Sequence, residues 1–349
     1  MSFREILGHK RPIAILQRAI QSGHLSHAYL FAGPEGIGKR QVALNLAKAL
    51  NCEGGAAGDC CDACIPCRKI DKGIHPDVSL IEPQASSPKT APSLKIEQAR
   101  DVQKEISLKP YEGRKKVYIF DDAEKMTDEA ENALLKTLEE PTGETLLILV
   151  TSSPHSLLPT VLSRTQRIRF DPLGPEEVGS YLMKTRSWEA ERAKFVASLS
   201  GGSLGRALAR EEKELFSLRD QTLAGLSTVL QGGICEILDL AESWAKEKED
   251  LPERLEYLLI WVRDLKVYQT TGEETLLVNR DLGPRIREEA ALHLPAALSH
   301  LFQIIQETSF GLSRHANPRL SLEVMFTRMR AVFHREEEIA YAQCGEDQV

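Results

Sequence analysis

The sequence predicts an α/β domain, a parallel sheet with helices on both faces, followed by an all-helical remainder. Three observations carry this. Short apolar runs alternate with helix-like periodicity up to residue 172, and a glycine-rich turn joins the first run to a helix. Beyond Asp171 and Pro172 strand-like runs disappear, and apolar residues recur at spacings of three and four.

The elements follow in order. Ala28 to Phe31 is a short apolar run leading into Gly33 to Gly38, and from Lys39 to Leu50 the residues Val42, Ala43, Leu46, Ala47 and Leu50 share one helical face. Between Cys52 and Cys67 periodicity is lost and glycine and cysteine dominate, so this stretch reads as a small insertion held by something other than a core. Val78 to Ile81 reads as a strand, and the Ser- and Pro-rich stretch from Gln84 to Ser93 as a loop. Lys115 to Phe120 has the β-branched and aromatic content of a buried strand and ends at Asp121 and Asp122. A helix follows from Asp128 to Glu140, stopped by Pro141, and then a strand from Leu146 to Val150. The later helices fall into two groups, which sets the expected boundaries at 1–172, 173–212 and 213–349, with the insertion at 52–67.

Composition narrows the class. The chain has 349 residues, 44 Lys plus Arg against 51 Asp plus Glu, and a formal net charge of -7. At roughly 150 residues per domain this allows two or three domains, enough to bury a core without disulfide staples. The acidic balance argues against a protein that coats nucleic acid over most of its surface. The longest aliphatic stretch, Leu146 to Val150, is far short of the roughly 20 residues that span a bilayer. Arg4, Glu5, His9 and Lys10 stand where a signal peptide needs an apolar core, so a cytoplasmic location and no membrane partner are expected.

GPEGIGKR, Gly33 to Arg40, fits the phosphate-loop pattern GxxxxGK at Gly33, Gly38 and Lys39, between a strand and a helix. Glycines such as Gly33, Gly36 and Gly38 let backbone N–H groups face phosphate oxygens, the helix adds its positive end, and Lys39 supplies a point charge. The next position normally carries Ser or Thr to ligate Mg²⁺, yet here it is Arg40, which has donors only. A unit charge about 4 Å from a divalent ion, at an effective dielectric near 20, costs about 8 kcal/mol. Either Arg40 turns away or the metal leaves. The loop can still hold ATP or ADP, but Mg²⁺ binding and metal-assisted hydrolysis are expected to suffer. In IFDDAE, Asp121 is placed to assist a metal, while Asp122 replaces the Glu that orients water in many such ATPases. The alternative for both carboxylates is a solvated strand end.

Cys52, Cys61, Cys64 and Cys67 fall as Cx8CxxCxxC, a spacing that closes a tetrahedral thiolate shell around structural zinc. Disulfides or free thiols are the rival readings. Spacing favours Cys61 over the adjacent Cys60 as ligand.

Together HAYLFAGPEGIGK (His27 to Lys39), the cysteine insertion, HPDV (His75 to Val78), NALLKTLEEP (Asn132 to Pro141), the step Ser163–Arg164 and GGSLGRAL (Gly201 to Leu208) resemble the AAA+ subunits of the bacterial sliding-clamp loader of DNA polymerase III. The resemblance covers nearly the whole chain. It implies a RecA-like nucleotide-binding domain, a small helical lid and an all-helical collar. It also implies a ring of five subunits, gamma or tau motors and delta among them, that places the sliding clamp on primed DNA. ATP-hydrolysing subunits of that ring keep Thr after the lysine and Asp-Glu in the acidic motif. This chain has neither, so it looks like the non-hydrolysing member, not an active ATPase by itself; the alternative is a gamma/tau-like motor.

By the same resemblance, Arg164 is an arginine finger presented to a neighbour's ATP, with Thr165 replacing the family's Cys. A guanidinium spans phosphate oxygens and stabilises transition-state charge. Arg206 matches the lid arginine that senses nucleotide in cis, and Thr151 the polar sensor after a strand. A helix-surface charge and an ordinary strand end are their alternatives. Glu139 and Glu140 are assigned solvation only, and the cluster Arg114, Lys115 and Lys116 reads either as a solvated turn or as a DNA-facing patch.

Overall fold

The computed structural model describes residues 2–55, 58–85, 92–140, 144–209, 212–314 and 316–346. Pro141 and most of the Gln84–Ser93 loop lie outside the described residues.

The first unit comprises Met1–Tyr181 and Ser200–Leu208. Its elements are α1 (Lys10–Ser22), β1 (Ala28–Ala32), α2 (Lys39–Asn51), α3 (Ile65–Asp71), β2 (Val78–Ile81), α4 (Ile96–Ile106), β3 (Lys116–Phe120), α5 (Asp128–Glu139), β4 (Thr145–Thr151), α6 (Pro159–Leu162) and β5 (Gln166–Arg169). The sheet runs β2-β3-β4-β1-β5 with every pairing parallel. Alternation along the strands divides the core. Tyr29, Phe31, Val117, Ile119, Leu146, Ile148 and Val150 point to the side packed by α1 and α2. Leu30, Tyr118, Phe120, Leu147 and Leu149 point to the side packed by α4, α5 and α6. Burial on both faces explains why these strands are almost uninterrupted apolar runs.

The sequence reading did not identify α1, α3, α4 or β5. In β5 only Ile168 is buried, so Gln-Arg-Ile-Arg shows no apolar run. Its backbone nevertheless pairs with β1, Phe31 beside Ile168. Lys116, grouped by sequence with a basic patch, is buried and donates to the Glu105 carbonyl at 2.7 Å.

The chain continues through α7 (Pro175–Arg186), α8 (Ala190–Leu199), α9 (Leu204–Ala209), α10 (Glu212–Gln231), α11 (Ile234–Lys246), α12 (Leu251–Thr271), α13 (Gly283–Leu292), α14 (Pro295–Ser313) and α15 (Pro318–Glu346). The second unit, Leu182–Leu199 with Ala209–Val349, is helical and has its own core, built on Trp244, Leu255, Leu258, Trp261, Leu298, Ile304, Met325 and Phe326. Among the described residues no helix is long and apolar enough to cross a membrane.

Candidate functional site

Parallel strands leave their carboxyl ends at one edge of the sheet, where loops rather than side-chain packing fill the space. At that edge a cavity of about 420 Å³ is lined by Gly36, Gly38, Lys39, Arg40, Asp121, Asp122 and Thr151 together with Glu35. Gly33 adjoins it, its N–H donating to the Thr151 carbonyl at 3.2 Å.

The loop between β1 and α2 is held from several sides. Gly36 and Gly38 have φ of 71° and 102°, the left-handed region that favours glycine. A Cβ on Gly36 would lie 2.3 Å from Ser203 Oγ, so no larger residue fits there. The Gly205 N–H donates to the Gly36 carbonyl at 2.8 Å, and His9 Nε2 donates to the Ile37 carbonyl at 2.7 Å. A carbonyl only accepts, so that contact puts the imidazole proton on Nε2. Lys39 Nζ donates to the carbonyls of Gly33 and Pro34 at 2.7 and 2.6 Å. Burial pulls its ammonium below the ordinary lysine range, against the attraction of Glu124, Asp121 and Asp122.

Arg40 settles on carboxylates. Its Nη1 meets Asp121 Oδ2 at 3.2 Å and also pairs with Glu82 Oε1. Burial lifts the Asp121 carboxyl above its ordinary range, with Arg40 opposing the rise. Asp122, in the left-handed region at φ 48°, pairs with Lys125 at 2.7 Å. Thr151 is buried, and its hydroxyl accepts the Ser153 N–H at 3.0 Å. These donors do not fit Mg²⁺: a guanidinium replaces the hydroxyl ligand and already neutralises the carboxylate a cation would use. Glu35, Asp121 and Asp122 share the cavity lining with Lys39 and Arg40.

Two of the remaining residues singled out by sequence lie elsewhere. Arg206 is absent from the cavity lining, although its backbone N–H, donating to Ser203 Oγ at 3.2 Å, starts the short helix that leans on Gly36. Arg164 follows α6. Its Nη1 donates to the Thr160 carbonyl at 3.0 Å and to Ser163 Oγ at 3.3 Å, and its Nη2 meets Glu139 Oε1 at 2.7 Å. Glu139 is therefore an ion-pair partner, which corrects the assignment of solvation alone.

The Sγ atoms of Cys52, Cys61, Cys64 and Cys67 all lie within 4.8 Å of one another, with Cys52 and Cys64 at 3.9 Å. A tetrahedral zinc shell with bonds near 2.3 Å puts its sulfurs roughly 3.8 Å apart, so the cluster is suited to a metal ion. Backbone N–H groups of Cys61 and Cys64 donate to Cys52 Sγ and Cys61 Sγ, each at 3.3 Å. N–H donation from Ala63 and Cys64 brings the Cys61 thiol down to about 6, whereas burial pushes Cys60 up to about 12. Cys60 turns to Asp62 instead. Lys48 of α2 anchors the insertion from below, its buried ammonium 2.7 Å from Asp62 and 2.8 Å from Asp71.

His9, Glu82, Glu124 and Glu139 escaped the sequence reading. One signal was available for Glu139: a carboxylate in the last turn of a helix opposes the helix dipole. His9 and Glu82 carried none, because each reaches the loop only through folding.

Comparison with known proteins gives the family. The family model described as DNA polymerase III, delta subunit, matches residues 8–174, and the one for its C-terminal part matches residues 213–330. The DNA polymerase III subunit delta' of Pseudomonas aeruginosa is 34% identical over 251 residues, 71% of this chain and 74% of that one. The tau subunit of Bacillus subtilis is 26% identical over 356 residues, 95% of this chain but only 62% of its own length. The delta' subunit of Bacillus subtilis is 32% identical over 311 residues, 88% of this chain and 92% of that one. On that extent of shared sequence, this chain belongs to the delta' subunit family of DNA polymerase III.

Proposed function

We propose that this chain serves as a non-hydrolysing brace of the clamp loader, one that lends Arg164 to nucleotide held by a neighbouring ATPase subunit. The observation that carries the reading is the Arg40 ion pair with Asp121 and Glu82, which fills with guanidinium the place where hydrolysis needs a hydroxyl-bound cation. Lys39 is occupied with its own loop, so the cradle acts as a strut between β1, the N-terminal segment and the turn before α9.

Arg164, by contrast, is half-exposed, and a guanidinium offered there can span phosphate oxygens on another chain. The partners in this reading are gamma or tau motors and delta in a five-subunit ring, acting on the sliding clamp and primed DNA. Residues 1–172, 173–212 and 213–349 serve as nucleotide-binding-type, lid and collar parts. Cys52, Cys61, Cys64 and Cys67 hold a structural zinc, whose four thiolates leave no open position for catalysis.

The test is a titration of the purified chain with ATP, with and without Mg²⁺, alongside its turnover. Negligible hydrolysis, and no gain in affinity from Mg²⁺, is expected. Multiple-turnover hydrolysis abolished by Lys39→Ala would replace this reading with that of a motor subunit.

A further inference from the structure

Glu139 occupies a position that local helix physics disfavours. It is the last residue of α5, with Glu140 as the C-cap, and two carboxylates there face the negative end of the helix dipole. Its ion pair with Arg164 is half-exposed on both sides, and such pairs contribute little to stability. A local rule broken without a stability gain points to a site that needs the geometry.

The geometry is specific. A free arginine side chain spreads over many rotamers, but here three oxygens from two neighbouring elements fix the guanidinium: the Thr160 carbonyl, Ser163 Oγ and Glu139 Oε1. The turn carrying Arg164 is itself tied to α5 at a second point, where buried Glu131 accepts the Leu158 N–H at 2.8 Å. Thus α5 holds both the base of the Arg164 turn and the tip of its side chain.

We propose that Glu139 is a positioning residue for Arg164, orienting the guanidinium toward the phosphates of a neighbouring subunit before the two meet. The inference rests on the trans role of Arg164 and adds the residue that aims it. A misplacement of about 1 Å at a reacting centre costs on the order of a hundredfold in rate, so a loosened guanidinium is felt in turnover rather than in nucleotide binding.

The experiment is steady-state ATPase of the assembled loader with clamp and primed DNA. Glu139→Gln is expected to lower kcat by about tenfold, with KM for ATP changed less than about twofold, and Glu139→Asp to fall between it and the parent. Because Glu139 acts through Arg164, the double variant Glu139→Gln/Arg164→Ala should turn over at the rate of Arg164→Ala alone. Thermal unfolding of each variant, unchanged within about 2 °C, separates aiming from folding. Parent-like or faster turnover of Glu139→Gln, with Arg164→Ala slow, overturns the proposal. So does a double variant slower than Arg164→Ala by the full Glu139→Gln factor. Parent-like turnover of Arg164→Ala instead removes the trans role itself, and the positioning role with it.

Discussion

A guanidinium cannot ligate a cation, and at position 40 it takes the cation's place as counter-charge to a carboxylate. Arg40→Thr restores the hydroxyl and releases Asp121. Isothermal calorimetry should then show Mg²⁺-dependent ATP binding at least about tenfold tighter than in the parent, while turnover stays negligible because Asp122 still lacks the reach of Glu. Asp77 illustrates a carboxylate used for construction. Burial alone would raise its carboxyl, but N–H groups of Tyr111, Glu112 and Gly113, at 2.7 to 2.8 Å, hold it below the ordinary range. A group depressed in the folded state stabilises fully above its unfolded value, near pH 4, and that contribution is lost as pH falls through the folded value. Asp77→Asn is therefore expected to cost about 2 kcal/mol at pH 7. The gap to the parent should shrink below pH 4 in denaturant titrations. HPDV was legible as a motif, but the nest it makes for residues 111–113 was not, because those partners lie more than thirty positions away.

At the scale of elements, the cysteine insertion connects parts of the first unit. Lys48 ties it to α2, and Asp59 accepts the Phe3 N–H at 2.9 Å. Spacing alone had favoured Cys61 over Cys60, and folding separates them by burial and direction. Cys60→Ser should accordingly retain about one equivalent of zinc and Cys61→Ser should lose it, as read by elemental analysis of freshly purified reduced protein. Equal metal content in the two variants would refute the ligand set. The strands β1, β3 and β4 were readable because burial on both faces demands apolar residues throughout. β5 was not, since only Ile168 of its four residues is buried and no apolar run forms; α1 and α4 do carry a one-faced apolar periodicity that the reading passed over, and α3 is only seven residues long.

For the whole molecule, the two units have separate cores, and the three tryptophans, Trp188, Trp244 and Trp261, all belong to the helical one. Removal of the proposed zinc by a thiol-selective chelator should therefore bring forward only the first unit's part of the far-UV circular dichroism transition while leaving the tryptophan emission transition in place. A parallel shift of both would mean the units unfold as one. What the chain's own order of residues determined was the class of fold, the phosphate loop with its missing hydroxyl, the thiol cluster and the Ser163–Arg164 step, since each is a local pattern whose chemistry follows from spacing. Which carboxylates Arg40 meets, which carbonyl His9 binds, and that Glu139 grips Arg164 were decided only by tertiary structure. Those partners come from separate elements, and the direction of a long side chain is set by the neighbours that folding brings within about 3 Å, not by its position in the chain.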